Sequence, residues 1–194
     1  MKAHWLHALA LSAALAVSAP AMAAEEHYVI DTDGAHAAIE FRIQHLGFSW
    51  LVGRFDDFSG SFTWDADSPQ NSKVQVAIDT ASVNSNHAER DKHLRDADFL
   101  DVDKYPQAKF VSTAYQPTGE NTAELSGELT LHGVTRPVTI TVEQIGHGKD
   151  PWGGYRRGFA GTTRLTLADF GIKRDLGPAS REVYLFLSVE GIRQ

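Results

Sequence analysis

Ala37-Ala38-Ile39-Glu40-Phe41-Arg42-Ile43-Gln44-His45 alternates from one side to the other without a break. Ala37, Ile39, Phe41, Ile43 and His45 share one side, while Ala38, Glu40, Arg42 and Gln44 take the other. A period of two is that of a β-strand with one buried face, so this stretch reads as a strand rather than a helix. The pattern recurs down the chain. Val74, Val76 and Ile78 alternate with Gln75, Ala77 and Asp79, and Leu125, Gly127, Leu129 and Leu131 with Ser126, Glu128, Thr130 and His132. After a turn at Gly133 to Pro137, Val138, Ile140 and Val142 alternate with Thr139, Thr141 and Glu143. The last run sets Val183, Leu185, Leu187 and Val189 against outward Glu182, Ser188 and Glu190. With further strands near Phe55 to Trp64, Lys109 to Tyr115 and Phe159 to Leu167, the count reaches about eight, which suits a closed antiparallel barrel around one small interior. Alternation alone fits a sandwich with a solid core equally well, because both bury one face of every strand.

One stretch leaves this rhythm. Asn84 to Asp103, NSNHAERDKHLRDADFLDVD, is the most charged part of the chain, and Asn86 precedes Glu89 by three residues in the spacing of a capping box. A short helix from about His87 to Arg95 is expected, docked through Leu94, Phe99 and Leu100, its charges forming a solvated face. Asp150-Pro151-Trp152-Gly153-Gly154 reads as a tight turn between strands.

The N-terminus reads as an export signal. Lys2 opens it, Trp5 to Val17 are apolar, and Ala21-Met22-Ala23 is an A-x-A cleavage signature. The apolar run is too short to span a bilayer, which needs roughly 20 such residues. Residues 1–23 are therefore expected to be a cleaved signal peptide, residues 24–194 one domain, and the periplasm its compartment. Losing Lys2 moves the formal net charge from −7 to −8. That balance disfavours nucleic acid, which needs a basic face, and adsorption to anionic lipid surfaces, which needs clustered Lys and Arg. With no cysteine in the chain, thiolate zinc sites and cysteine catalysis are excluded.

Catalytic patterns are sparse. The chain has no G-x-S-x-G elbow, no H-E-x-x-H pair and no G-x-x-x-x-G-K-[ST] loop. His87 and His93 are six apart, on different helix faces rather than at the spacing that shares a zinc. His132, beside a turn, is placed to bond loop backbone. His45 lies on the side of Ile39, Phe41 and Ile43, either as a hydrogen-bonded core residue or as one polar contact orienting a ligand in an apolar cavity. Phe41, Phe48, Trp50, Phe55, Phe58, Phe62, Trp64 and Phe159 gather around the early strands, interleaved with Gly47, Gly53 and Gly60. Glycines there let strands bend or come close, and the aromatics either fill a core or line an elongated pocket. Any ligand held would be long, since burial contributes roughly 0.8 kcal/mol per methylene against an association cost of about 4–15 kcal/mol.

Several segments resemble the YceI-like family, described as polyisoprenoid-binding and lipocalin-like. They are Phe41-Arg42-Ile43-Gln44-His45-Leu46-Gly47-Phe48, Gly53-Arg54-Phe55, Phe58-Ser59-Gly60, Glu89 to Arg95, Asp98 to Val102, Tyr105 to Phe110, Gly127 to Pro137 and Asp169-Phe170-Gly171-Ile172. The resemblance implies an all-β fold, an eight-stranded antiparallel lipocalin-like barrel with a short α-helix, enclosing a tunnel for a polyprenyl or quinone-type isoprenoid. It puts Phe41, Ile43, Phe48, Phe55 and Phe58 in the tunnel wall and His45 at a polar contact, with Trp50 in the same aromatic group. Where many relatives carry Arg-x-Asp-Phe-Gly-Ile, this chain has Leu167-Ala168-Asp169-Phe170-Gly171-Ile172, lacking the arginine. The expectation is thus a periplasmic binding or carrier protein for an isoprenoid lipid, without catalytic residues, metal or cofactor beyond that lipid or an isoprenoid quinone. It has no transmembrane span, and a homodimer is left open. The alternatives are an enzyme using His45 as acid or base on a small ligand, and a stress-related interaction module whose barrel is only a core.

Overall fold

The computed structural model describes residues 25–174 and 176–194; the expected signal peptide lies outside them. The period-two segments form strands. In chain order these are β1 (Glu26–Ile30), β2 (Ala38–His45), β3 (Ser49–Phe55), β4 (Phe58–Trp64), β5 (Lys73–Asp79), β6 (Val83–Asn84), β7 (Gln107–Pro117), β8 (Thr122–Leu131), β9 (Val134–Lys149), β10 (Tyr155–Thr166) and β11 (Glu182–Arg193). One helix, α1 (Ala88–Arg95), lies between β6 and β7 among the described residues.

Eight strands close on themselves in the order β1-β4-β5-β7-β8-β9-β10-β11, with β11 returning to β1 at Tyr28↔Arg193, Val29↔Ile192 and Ile30↔Gly191. Every pairing is antiparallel, so no sheet edge is left in the ring, and the fold is the closed barrel expected from the sequence. The β2–β3 hairpin attaches to the same edge of β11 further along, from Val183↔Ile43 to Ser188↔Ala38. Twelve residues of β11 thus serve two partners on one edge. The strand that announces the fold in the sequence is a wing on the ring rather than a stave of it.

Glycine makes two close approaches that the barrel needs. The Phe41 ring lies where a Cβ on Gly53 would stand, and the Phe110 ring does the same over Gly127. Each pair lets an aromatic lie flat on a strand, which any larger residue would prevent.

The helix begins one residue later than the capping-box reading implies. His87, not Asn86, is the N-cap, its Nδ1 accepting from the Arg90 amide at 3.3 Å. Asn86 instead takes a left-handed turn, φ 61°. The charged stretch is also more than a solvated face. Asp91 is buried and accepts from the amide and hydroxyl of Ser85, while Arg95 donates to the carbonyls of Ala81 (2.6 Å) and Val83 (2.8 Å). Burial pushes the Asp91 carboxyl up, but the Ser85 hydrogen bonds outweigh it and hold the group below its usual range. Leu94 and Leu100 join the core as expected, whereas Phe99 packs edge-on against His93.

Candidate functional site

Inward side chains of the ring meet in two different ways. Towards α1, Phe41, Val83, Leu165, Phe170 and Val183 form a buried cluster against which Leu94 and Leu100 pack, and this half is solid. The other half encloses a cavity of about 160 Å³ whose surface is carbon almost throughout. Val74, Val76, Leu125, Ile140, Val142 and Phe159 supply much of its wall, from four strands of the ring. An apolar cavity of about 150 Å³ takes up one benzene, so this one has room for about six carbon groups.

The far end of the hollow half is closed by rings and one cation. Tyr28 stacks on Phe62 at 4.7 Å, and Phe159 meets Phe62 edge-on at 5.6 Å. Arg157, 4% exposed, lies with its guanidinium 4.4 Å from the Trp64 ring. It donates to Glu26 Oε2 at 3.3 Å and Gln144 Oε1 at 3.2 Å. Tyr28 donates to the same Glu26 oxygen at 2.7 Å, and Arg193 to the other. Burial opposes ionisation of Glu26, but these donors outweigh it and keep the carboxyl below its usual range. A charge this buried persists only when it is paired and bonded.

Outside that plug, Asp31, His36 and Glu190 come close enough together to hold a metal ion. A guanidinium already takes the central position. Arg156 Nη1 donates to Asp31 Oδ2 at 2.6 Å and to Glu190 at 2.5 Å, while Nε reaches Asp150 at 2.9 Å. Hydrogen bonds from His36 and Arg156 hold the Asp31 carboxyl down at about 2.

The residues that the sequence marks as pocket wall separate into three groups. Phe58 lines the cavity. Phe41, Ile43 and Phe55 pack in the solid half, with Phe41 and Phe55 tilted at 5.9 Å, and are not part of the cavity wall. His45, Phe48 and Trp50 are exposed, Phe48 at 88%. The register explains them. Gln44↔Trp50 puts Trp50 on the outer face, edge-on to Tyr184 at 5.6 Å, with the Arg42 guanidinium 4.7 Å from its ring. β11 pairs with β2 only as far as Ile43, so His45 runs past the ring and finds no opposite wall, and Phe48 stands at the hairpin tip. His45 therefore supplies no polar contact inside the cavity here, and no acid or base for chemistry there. His132 does bond loop backbone, through Nδ1 and the Phe170 carbonyl at 3.2 Å.

Sequence reasoning marks Val74, Val76, Leu125, Ile140 and Val142 as inward but not as wall, since alternation does not say whether inward side chains meet. Lys73, Ser72, Thr63 and Tyr115, also on the wall, carry no sequence signal of their own. No helix among the described residues is long and apolar enough to cross a membrane.

Comparison with known proteins bears on this geometry. The YceI-like domain pattern matches residues 28–191. A UPF0312 protein of Azotobacter vinelandii is 60% identical over 189 residues, covering 97% of each chain. Among solved structures, Burkholderia cenocepacia BcnA superposes with a TM-score of 0.74 at 23% identity, over 83% of this chain and 98% of its own. A polyisoprenoid binding domain from Saccharophagus degradans, implicated in plant cell wall breakdown, gives 0.63 at 19% identity, over 86% and 98%. At such identities the two structures share a fold with this chain.

Proposed function

Because this chain belongs to the YceI-like domain family, we propose that it is a periplasmic carrier that holds part of an isoprenoid chain inside its barrel and performs no reaction on it. The observation that carries this reading is the apolar cavity inside a closed ring, walled by carbon and plugged at its far end by Arg157. The Saccharophagus neighbour, described as a polyisoprenoid binding domain, supports the choice of ligand. The N-terminal pattern of residues 1–23 supports the compartment.

Size sets how much of the ligand is held. About six buried carbon groups, little more than one isoprene unit, contribute roughly 5 kcal/mol at about 0.8 kcal/mol each. Association costs about 4–15 kcal/mol, so binding is reversible, as a carrier requires. A longer chain leaves its remainder outside or displaces the wall.

The test is organic extraction of protein purified without detergent from the periplasmic fraction, followed by mass spectrometry. A prenyl lipid near one equivalent is expected. Repeated recovery of empty protein from membrane-containing cells contradicts the reading, and recovery in the cytoplasmic fraction contradicts the compartment.

A further inference from the structure

Every strand of the ring has a strand on each side, but β3, the outer strand of the wing, does not over most of its length. It pairs with β2 from His45↔Ser49 to Ile39↔Phe55. On its other side only Arg54 and Phe55 have a neighbour, the two-residue β6. Past Asn84 the chain leaves the sheet for α1, because Asn86 takes a left-handed turn and the Ser85 amide bonds Asp91. Residues 49–53 are thus an open run of backbone, with no hydrogen bond from another element on that side among the described residues.

This edge is unguarded. Edge strands are normally blunted by lysine, proline, a bulge or a covering element. Residues 49–53 read Ser-Trp-Leu-Val-Gly, without charge or proline, and they pair with β2 without a bulge. A second open edge, residues 146–149 of β9 beyond its pairing with β8, shows the contrast: it holds two glycines and ends in exposed Lys149. Along β3 large apolar side chains face outward instead. Trp50 is 44% and Val52 59% exposed on the outer face, and Leu46 and Phe48 stand bare at the hairpin tip. A contiguous apolar patch of this kind marks a binding surface.

The backbone decides what covers it. An unpaired strand edge is not tolerated in the hydrocarbon of a membrane, so the occupant is another strand, added edge to edge. Residues 49–53 are complementary to themselves. Laid antiparallel about a two-fold axis at Leu51, Ser49 meets Gly53 of the partner subunit, Trp50 meets the partner's Val52, and Leu51 meets the partner's Leu51. The two Trp–Val pairs, of the favourable aromatic–β-branched kind, fall on the outer face. Glycine opposite serine leaves no clash, and no charges oppose each other. The run is bounded by β6 at one end and the hairpin tip at the other, so the same five residues are free in both copies.

We propose that this protein forms a two-fold dimer in which β3 pairs with β3 of a second copy, joining the two wings into one sheet. No β3 residue lines the cavity, so the dimer stands or falls apart from the carrier reading.

Sedimentation equilibrium of the whole mature protein should show a reversible monomer–dimer equilibrium. Each copy is net negative, −7 over the full sequence, while the joined edges carry no charge. Added sodium chloride should therefore tighten the dimer by screening that repulsion. Deuterium uptake at residues 49–53 should slow as protein concentration rises, with no change at residues 146–149. Val52→Lys, which places a guard on the edge, should weaken the dimer at least about tenfold, since the symmetry counts the change twice. Ile145→Lys, at an exposed apolar residue of β9, should leave it intact. A protein still monomeric at about 1 mM, whether or not it floats with phosphatidylethanolamine vesicles, overturns the proposal. So does a dimer that Val52→Lys leaves as tight, or one whose residues 49–53 exchange as fast as in the monomer. The exchange measurement uses the unaltered chain and decides even where a variant fails to fold.

Discussion

The two halves of the barrel interior are built from the same period-two strands, yet one is solid and the other hollow. What separates them is what reaches in from outside the ring. Towards α1, Leu94 and Leu100 follow the helix inward, Phe170 enters from the turn at Leu167–Phe170, and Phe41 arrives on the β2–β3 wing. The hollow half receives no helix or turn. Its wall is made of ring side chains, aliphatic ones with Phe58, Phe110 and Phe159 among them, plus Ile39 of the wing, and its end is closed by the stacked Tyr28 and Phe62 rings and by Arg157 over Trp64. A cavity in a barrel is therefore set by the lengths of the wall side chains and by the connections that fill the ends. The strand pattern is silent on both.

Breaking the plug should have the largest effect. Arg157→Leu leaves Gln144 without its charged partner and Glu26 with one donor fewer, a loss of about 3 kcal/mol in urea unfolding. The cost falls short of a fully orphaned charge because Tyr28 and Arg193 still hold Glu26.

A matched pair of enlargements measures the contrast itself. Val183→Phe in the solid half should cost about 1–3 kcal/mol by overpacking. Val142→Phe in the hollow half should cost less than about 1 kcal/mol while weakening farnesol binding at least about tenfold, because the new ring takes the ligand's space. Equal costs in the two halves would mean that the hollow is not there.

Acid should loosen the hollow half's outer rim. Asp31, held down at about 2 against an ordinary 3.8, contributes stability that is present above pH 4 and lost as pH falls towards 2. Asp31→Asn should lower the melting temperature at pH 7 and flatten its fall over that window, read by circular dichroism.

The smallest effect belongs to a residue that the sequence singles out. Phe48→Ser at the exposed hairpin tip should change stability by no more than about 0.5 kcal/mol and leave farnesol affinity unaltered, since Phe48 does not touch the cavity.

How much of this was legible follows from the range of each interaction. The strands carrying Val74 to Ile78, Leu125 to Leu131, Val138 to Val142 and Val183 to Val189 were readable because alternation is local. β1 escaped because five residues hold too few alternations. The sequence groups Trp50 with the pocket aromatics because they are close along the chain, whereas its facing depends on the β2–β3 register. His45 shared a face with Phe41 as read, but only the end of β11 pairing shows that the ring stops before it.

The central claim is that inward side chains of the far half leave a lengthwise apolar hollow. A crystal structure of protein purified without detergent tests it directly. Continuous elongated density between Val74, Ile140 and Phe159 is the predicted result. Those three side chains in mutual contact, with no space between them, would contradict it.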